Sequence, residues 1–285
     1  MSTNESKDMS PNVTQQMTPQ LKPSMKSLMK PRFSVHISGL SDTGRAREHN
    51  EDAIAWDEAC GLAVLADGMG GHNAGDVASR MCIEQLTGHL LPLLSRPLRL
   101  NPNKGMSKHA TLVRRAVNKA NLAIFENAEA NLERKGMGTT LVLALFYGDR
   151  VVVAHVGDSR IYRLRGRSLE PVTADHSLVR ELLEKGVISP EEVKNNPYGH
   201  VITKAVGIRE KVVPEVQEFE AQAGDVFLLC SDGLTDLVDD AVIEDTLVAA
   251  MGNWDRAVQR LIDLANNNGG RDNISVVLAA LGGPR

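Results

Sequence analysis

The sequence predicts an α+β protein in which antiparallel strands carry pairs of long helices. Three observations support this. Two amphipathic helical stretches follow one another between residues 74 and 133, and short apolar segments joined by tight glycine turns fill 136–172. A second helix pair then precedes a last apolar segment at 274–281. Segments joined by such short turns pair antiparallel, and the regular strand-helix alternation of a parallel sheet is missing. The 285 residues, 42% of them hydrophobic, suffice to bury a full core.

Residues 1–32 are rich in Ser, Thr, Pro, Met, Lys and Gln and cannot bury enough apolar surface to offset the cost of ordering, so they are read as a disordered tail. A docking arm and a dispensable extension both fit that composition. One domain is expected over 33–285. It opens with alternation of Phe33, Val35 and Ile37, the period of a half-buried strand over 33–40. A polar stretch leads to Glu51-Asp52 and a short strand at 53–56, and 62–66 reads as a buried strand that ends at Asp67-Gly68.

Val77, Met81, Leu86, Leu90 and Leu93 mark a helix over 74–94, broken by Pro97 and Asn101-Pro102. Leu112, Val113, Ala116, Val117, Ala120, Ile124 and Ala128 mark another over 108–133. The next part reads as a meander of strands at 139–146, 151–156, 161–164 and 169–172, with breaks at Gly148-Asp149, Gly157-Asp158 and Gly166. A short helix at 177–185 closes on Gly186. Ser189-Pro190-Glu191-Glu192 carries the cap, first-turn proline and acids of a further helix. The polar 177–207 segment is a flap-like insertion beside the sheet. A strand at 226–230, helices at 240–250 and 254–267 and a strand at 274–281 complete the chain.

Net charge is -4 with pI near 6.1, so no overall positive field favours nucleic acid or an anionic membrane. No apolar run approaches the roughly 20 residues that span a bilayer, and no N-terminal segment joins a basic start to an apolar core; a cytoplasmic protein is expected. Cys60, Cys82 and Cys230 are distant and odd in number, which gives neither a disulfide framework nor a thiolate metal site. The eight histidines lack zinc-ligand spacing, so a metal would have to be held by oxygen.

Oxygen ligands are abundant. Asp67, Asp158, Asp232 and Asp272 each stand at one end of a buried strand with Gly or Asn beside them, and Glu51-Asp52 adds two acids at the mouth of the first strand pair. Neighbouring strands would bring these carboxylates to one rim, where bare charges repel and either splay into solvent or bind cations. An all-oxygen site suits Mg²⁺ or Mn²⁺, and two such ions bridged by one aspartate and a water can hydrolyse a phosphate ester. Asp67 is the natural bridge. Arg47 could fork onto two phosphate oxygens, or be a surface arginine in a polar loop.

Seven motifs then appear in order: Arg47 with Glu51-Asp52, Ala66-Asp67-Gly68-Met69-Gly70-Gly71, Gly138-Thr139-Thr140, Val156-Gly157-Asp158-Ser159-Arg160, Asp175-His176-Ser177, Ser231-Asp232-Gly233-Leu234 and Arg271-Asp272-Asn273-Ile274-Ser275. From about residue 33 to 281 the chain resembles the metal-dependent, type 2C protein serine/threonine phosphatases, above all the compact bacterial ones. The resemblance implies a central β-sandwich of two antiparallel sheets flanked by pairs of helices, in α-β-β-α layers, with a binuclear Mn²⁺ or Mg²⁺ centre at one end.

It further implies that Asp67 bridges the two ions, that Asp232 and Asp272 complete one site, and that Glu51 and the Gly68 carbonyl serve the other. Asp52 would orient the attacking water, Arg47 would hold the substrate phosphate, and Asp158 with Asp232 would hold a third, weaker ion. Phosphoserine and phosphothreonine would be hydrolysed by direct attack of the bridging hydroxide. The partners implied are phosphorylated proteins and a cognate Ser/Thr protein kinase. The chain departs from eukaryotic members at Met69, where they carry a histidine proposed as general acid; His72 is the substitute candidate. His155 reads as a core residue, His176 as a tie between flap and sheet, Asp175 as the cap of the following helix, and Arg160 and Arg271 as structural ion-pair partners. A catalytically weak phosphoprotein-binding relative and a small-molecule phosphatase on the same fold stand as alternatives.

Overall fold

Alternation along a strand sends successive side chains to opposite faces, and this chain buries both. The computed structural model describes residues 31–71, 74–189, 192, 196–198 and 201–284. Its strands are β1 (Phe33–Asp42), β2 (Asp52–Asp57), β3 (Leu62–Met69), β4 (Gly138–Thr139), β5 (Leu141–Tyr147), β6 (Arg150–Val156), β7 (Arg160–Arg165), β8 (Ser168–Pro171), β9 (Glu215–Glu220), β10 (Val226–Cys230) and β11 (Ile274–Pro284). They form two antiparallel sheets. One has the order β1-β11-β10-β7-β8; the other runs β2-β3-β5-β6-β9, with β4 pairing β3.

Val35, Ile37, Leu65, Val142, Phe146, Val153, Phe227, Leu229 and Val277 fill the space between the sheets. Their strand neighbours face outward onto helices. Leu62, Val64 and Leu143 pack against Cys82, Leu86, Val113 and Val117 of α1 (Ala74–Leu94) and α2 (Lys108–Ala130). On the other side Tyr162, Leu228, Val276 and Leu278 meet the pair made by Asp240–Ala249 and Trp254–Asn267. Burial on both faces explains why β3, β5, β6 and β10 read as continuous apolar runs, and the layering is the predicted α-β-β-α sandwich.

Several expectations change in detail. The predicted meander is split: β5-β6 and β7-β8 are hairpins of different sheets, because the chain crosses between sheets at Gly157, which takes φ +105°. Strand β3 does not stop before Asp67. It continues to Met69 because Gly68 and Met69 pair with Thr139 and Gly138. The helix expected over 108–133 ends at Ala130, followed by a 3-10 turn at Leu132–Arg134. Strand β9, unpredicted, is the polar edge of its sheet.

Residues 1–30 lie outside the described residues. Pro31 and Arg32, grouped with the tail in the sequence, are already tied down: Pro31 bridges Gly148, and the Arg32 N–H donates to the Gly148 carbonyl at 2.6 Å. In the flap, α3 (Leu178–Glu184) is capped by Ser177 and ends before Gly186 as predicted. The helix expected after Ser189 lies largely outside the described residues. Its opening is visible, since the Ser189 N–H donates to the Glu192 carboxylate at 2.7 Å.

Candidate metal centre

Antiparallel pairing places the end of β10 beside the start of β11, so Asp232 and Asp272 meet at one end of their sheet. The same logic places Asp52 directly across from Asp67 in the β2-β3 ladder. The two sheets stack with these ends together. The acids therefore line one end of the sandwich, drawn from both sheets rather than from one. Like charges directly opposed on neighbouring strands destabilise a sheet, so this end is not arranged for folding alone.

The backbone holding Asp67 is fixed from three directions. Its carbonyl accepts from the Thr140 N–H at 2.8 Å and the Thr139 hydroxyl at 2.8 Å, and its N–H donates to Thr140 Oγ1 at 3.1 Å. Burial, then the charges of Asp52, Asp232, Asp158 and Asp272, hold its carboxyl well above the usual aspartate range. Asp232 begins a short helix, α4 (Asp232–Thr235), and is likewise held well above that range by burial and by Asp158, Asp236, Asp272 and Asp52. Asp158 is pushed up to about 6 by burial and by Asp175.

Asp52 is the most enclosed of these acids. Its Oδ2 accepts from the Ser231 hydroxyl at 2.9 Å, while Oδ1 is buried without a hydrogen-bond partner. Burial pushes its pKa up to about 6, against the opposing pull of the Ser275 and Ser231 hydroxyls. A buried carboxylate oxygen without a donor costs on the order of 1–3 kcal/mol unless something outside the chain satisfies it.

Glu51 faces the N-terminus of α1, where the backbone N–H groups of Gly75 and Asp76 reach it; burial raises its pKa despite the attraction of Arg47. This approach needs glycine on both sides. A Cβ on Gly68 would collide with the Gly75 carbonyl, and one on Gly75 would lie 2.8 Å from the Glu51 carboxylate. The Gly68 N–H donates to the Glu51 carbonyl at 3.1 Å.

Among the described residues Arg47 is the cation that ion-pairs with a member of the cluster, while Arg160, held by Asp175, acts on Asp158 from farther away. The Arg47 Nη2 donates to Asp272 Oδ2 at 2.7 Å, and its side chain stays half exposed. Burial tends to lower its pKa, but Asp272 more than offsets this and the net shift is upward. Of the predicted site residues, Arg47, Glu51, Asp52, Asp67, Gly68, Asp158, Asp232 and Asp272 thus converge, whereas His72 lies outside the described residues.

Residues that sequence reasoning left without a role hold this arrangement. Asn273 is a latch: its Oδ1 accepts from the Glu51 N–H at 2.9 Å, and its Nδ2 donates to the carbonyls of Thr43 and His49 at 2.9 Å each. Ser231 and Ser275 carry Asp52, the Ser275 N–H donating to Ser231 Oγ at 2.9 Å. Asp236, one helical turn beyond Asp232, adds charge beside Asp158 and Asp232; the four-residue spacing was its signal.

His155 is buried and contacts the Ala174 carbonyl through Nε2 at 2.8 Å. His176 joins the flap to the sheet: its Nδ1 accepts from the Gly157 N–H at 3.1 Å, and its carbonyl accepts from the Thr203 N–H at 2.7 Å. Asp175 is no helix cap. It takes a fork from Arg160 at 2.7–2.9 Å, and Ser177 caps α3 instead, because the helix starts at Leu178 and only Ser177 stands at its first free N–H groups. Arg160 is the ion-pair partner expected; Arg271 is exposed and makes no ion pair among the described residues.

His155, His176 and Glu215 also lie close enough to suggest a metal. The two rings stack at 4.6 Å and only 10° apart, so their in-plane lone pairs run side by side and do not converge on one ion. Both Nε2 atoms already face oxygen, those of Ala174 and Glu215.

The acidic rim fits divalent cations on its own chemistry: all-oxygen donors, mutually raised pKa values and an orphaned buried carboxylate oxygen. Comparison with known proteins agrees. Residues 43–278 match protein phosphatase 2C. The chain belongs to the protein phosphatase 2C family. It is 38% identical over 250 residues to the serine/threonine phosphatase stp of Listeria welshimeri, covering 86% of this chain and 95% of that one. It is 39% identical over 245 residues to the serine/threonine protein phosphatase PstP of Mycobacterium tuberculosis, covering 86% of this chain and 45% of PstP.

The crystal structure of the Mycobacterium tuberculosis serine/threonine phosphatase PstP superposes with a TM-score of 0.77 at 37% identity, over 87% of this chain and 99% of that one. The catalytic domain of PstP in complex with two manganese ions superposes with a TM-score of 0.74, again at 37% identity and over the same shares. Within this family the chain is a metal-dependent protein serine/threonine phosphatase of the bacterial type, with Mn²⁺ or Mg²⁺ as its cofactor.

Proposed function

We propose that the acidic rim is the phosphatase centre, with Asp67 shared between two divalent cations, Asp232 and Asp272 completing one site, and Glu51 and the Gly68 carbonyl serving the other. Asp158 and Asp232 would hold a third. One observation carries the assignment: five aspartates from two sheets converge, and Arg47 ion-pairs with one of them, Asp272, at the open side of the cluster. When bound, the cations neutralise the carboxylates, lower the pKa of a water and offset charge on the phosphate.

The chain's own groups do the rest. Arg47 turns from Asp272 to the substrate, since a guanidinium forks onto two phosphate oxygens as readily as onto a carboxylate. Asp52, held by Ser231, offers its free Oδ1 to the hydrogen of the attacking water and so orients it. Met69 has no proton to give, so the leaving alkoxide takes its proton from water. The half-open rim, with Asp272 and Arg47 both partly exposed, admits a phosphorylated side chain on a protein surface.

The opposing enzyme would be a Ser/Thr protein kinase of the same cell. The cytoplasm as the place of action is supported by the two buried cysteine thiols, Cys82 and Cys230. No helix among the described residues is long and apolar enough to cross a membrane. The test is release of phosphate from a phosphothreonine peptide with and without Mn²⁺, beside Asp67→Asn. Metal-independent hydrolysis, or full activity in the variant, would overturn the assignment. Phosphoproteomics of a deletion strain would identify the kinase whose sites accumulate.

A further inference from the structure

The buried face of α2 is mostly apolar, with polar residues at His109 and Thr111 near its start and at Asn121 farther along. Ala116, Val117, Ala120 and Ile124 share it with Asn121, which is 1% exposed. Asparagine is a poor helix former and costly to bury, so its presence there calls for partners. It has three, all on the backbone of one short segment. Its Nδ2 donates to the Arg209 carbonyl at 2.9 Å and the Glu210 carbonyl at 3.0 Å, and its Oδ1 accepts from the Gly207 N–H at 2.8 Å. Two carbonyls and one N–H leave only one orientation for the amide.

That segment is the downstream root of the flap, and it leads directly to the metal centre. Val206 exchanges backbone bonds with Thr139 at 3.0 and 2.8 Å, and the Thr139 hydroxyl donates to the Asp67 carbonyl. The root fits closely elsewhere too. Gly207, at φ +91°, sits on Ile124 of α2 with no room for a Cβ, and Ile208 covers Gly138 of β4. Every step from Asn121 through Gly207, Val206 and Thr139 to Asp67 is a hydrogen bond or a peptide bond.

We propose that Asn121 is a positioning residue for the metal centre: by clamping the flap root to α2, it holds Thr139 against the Asp67 carbonyl and presets the Asp67 carboxylate for its cations. It touches neither metal nor substrate. Its effect should therefore fall on metal affinity and on mobility of the flap root, and much less on turnover once metal is saturating. The proposal rests on the assignment of Asp67 as a metal ligand.

The experiment is calorimetric titration of the full chain with Mn²⁺, together with limited trypsin digestion of the metal-free protein. Asn121→Ala is expected to raise the Mn²⁺ dissociation constant about tenfold, the lower reach of changes around metal ligands, and to speed cleavage after Lys204 or Arg209. At saturating Mn²⁺, kcat stays within about twofold of the parent. Asn121→Asp, which keeps the acceptor for Gly207 but turns a buried carboxylate oxygen onto the Arg209 and Glu210 carbonyls, should show a shift at least as large, and circular dichroism of both variants checks that they are folded.

Val117→Ala supplies the structural control, because it opens a cavity in the same helix without removing any hydrogen bond to the flap root. It should lower Tm while leaving Mn²⁺ affinity and cleavage unchanged. The proposal is overturned if Asn121→Ala and Asn121→Asp bind Mn²⁺ as the parent does, or if Val117→Ala weakens binding equally. Asp67→Asn in the same titration separates the two levels: retained binding there sinks the ligand assignment and the clamp with it, whereas lost binding beside an unchanged Asn121→Ala sinks the clamp alone.

Discussion

Asp225 and Asp232 flank the same five-residue strand, β10, about 23 Å of extended chain apart. Their surroundings are opposite. Asp225 is 1% exposed and fully partnered: Arg165 forks onto it at 2.7 and 2.8 Å, and the Gln222 N–H donates at 2.8 Å. Asp232 has no ion pair among the described residues and faces Asp158, Asp236, Asp272 and Asp52. One end of the strand spends a carboxylate on holding the fold together. The other end accumulates carboxylates that the fold itself does not neutralise, which is what a cation site requires before its cation arrives.

The comparison breaks most visibly by removing each acid in turn. Asp232→Asn should reduce phosphatase activity more than about 100-fold and weaken Mn²⁺ binding, since even residues one shell removed from a metal cost 10–100-fold. It should also raise the Tm of the metal-free protein by relieving repulsion. Asp225→Ala should leave activity within about twofold and cost about 2 kcal/mol of stability, the value of hydrogen bonds to a charged group. Steady-state assays and thermal melts on both variants check this; equal effects of the two substitutions would erase the distinction.

Arg47→Ala comes next. Losing a bidentate charge-assisted contact to phosphate should lower kcat/KM for a phosphopeptide by roughly 10–100-fold. Arg47→Lys should recover only part of this, because an ammonium cannot fork. Mn²⁺ affinity should not fall, since the arginine competes for Asp272.

A pH series sharpens the contrast without mutation. Asp158 and Asp52 are raised from 3.8 to about 6, so in the metal-free protein folding favours their protonated forms. That contribution is complete below about 3.8 and is lost as pH rises through about 6. Metal-free protein should therefore lose Tm between pH 5 and 7 from this cluster, and Mn²⁺ should restore it. Mn²⁺ affinity should weaken as pH falls through 6, because protons then compete for the same oxygens. Calorimetry at pH 5.5 and 7.5 decides; pH-independent binding would contradict the raised values.

Ser231→Ala should give the smallest effect of the substitutions at the acidic rim. It removes the hydroxyl that holds Asp52 Oδ2, and about a tenfold loss in kcat with a folded protein is expected.

Much of this was legible in the chain itself. Buried strands announce themselves as apolar runs when helices cover one face and a second sheet the other, so β3, β5, β6, β10 and β11 were readable within a few residues. Strand-end aspartates next to glycine were equally plain, and their recurrence gave Asp67, Asp158, Asp232 and Asp272 before any geometry. Polar edge strand β9 was not, because nothing apolar marks a strand that meets water. Nor was the split of the hairpins between two sheets, since a tight turn and a crossover at glycine look alike in one dimension.

By itself, then, the sequence determined which residue types stand at the ends of which strands, and hence that oxygen ligands are plentiful and that Met69 cannot replace a histidine. Tertiary structure alone decided that acids from both sheets share one end. It also decided that Arg47 meets Asp272, that Asn273 fastens the Arg47–Glu51 loop, and that Asn121 reaches the flap root 86 residues away in sequence. The physical reason is range. Periodicity and turn chemistry act over a few residues, whereas the field at a carboxylate is set by whichever charges and hydrogen-bond donors packing brings within a few ångströms, however far apart they lie in the chain.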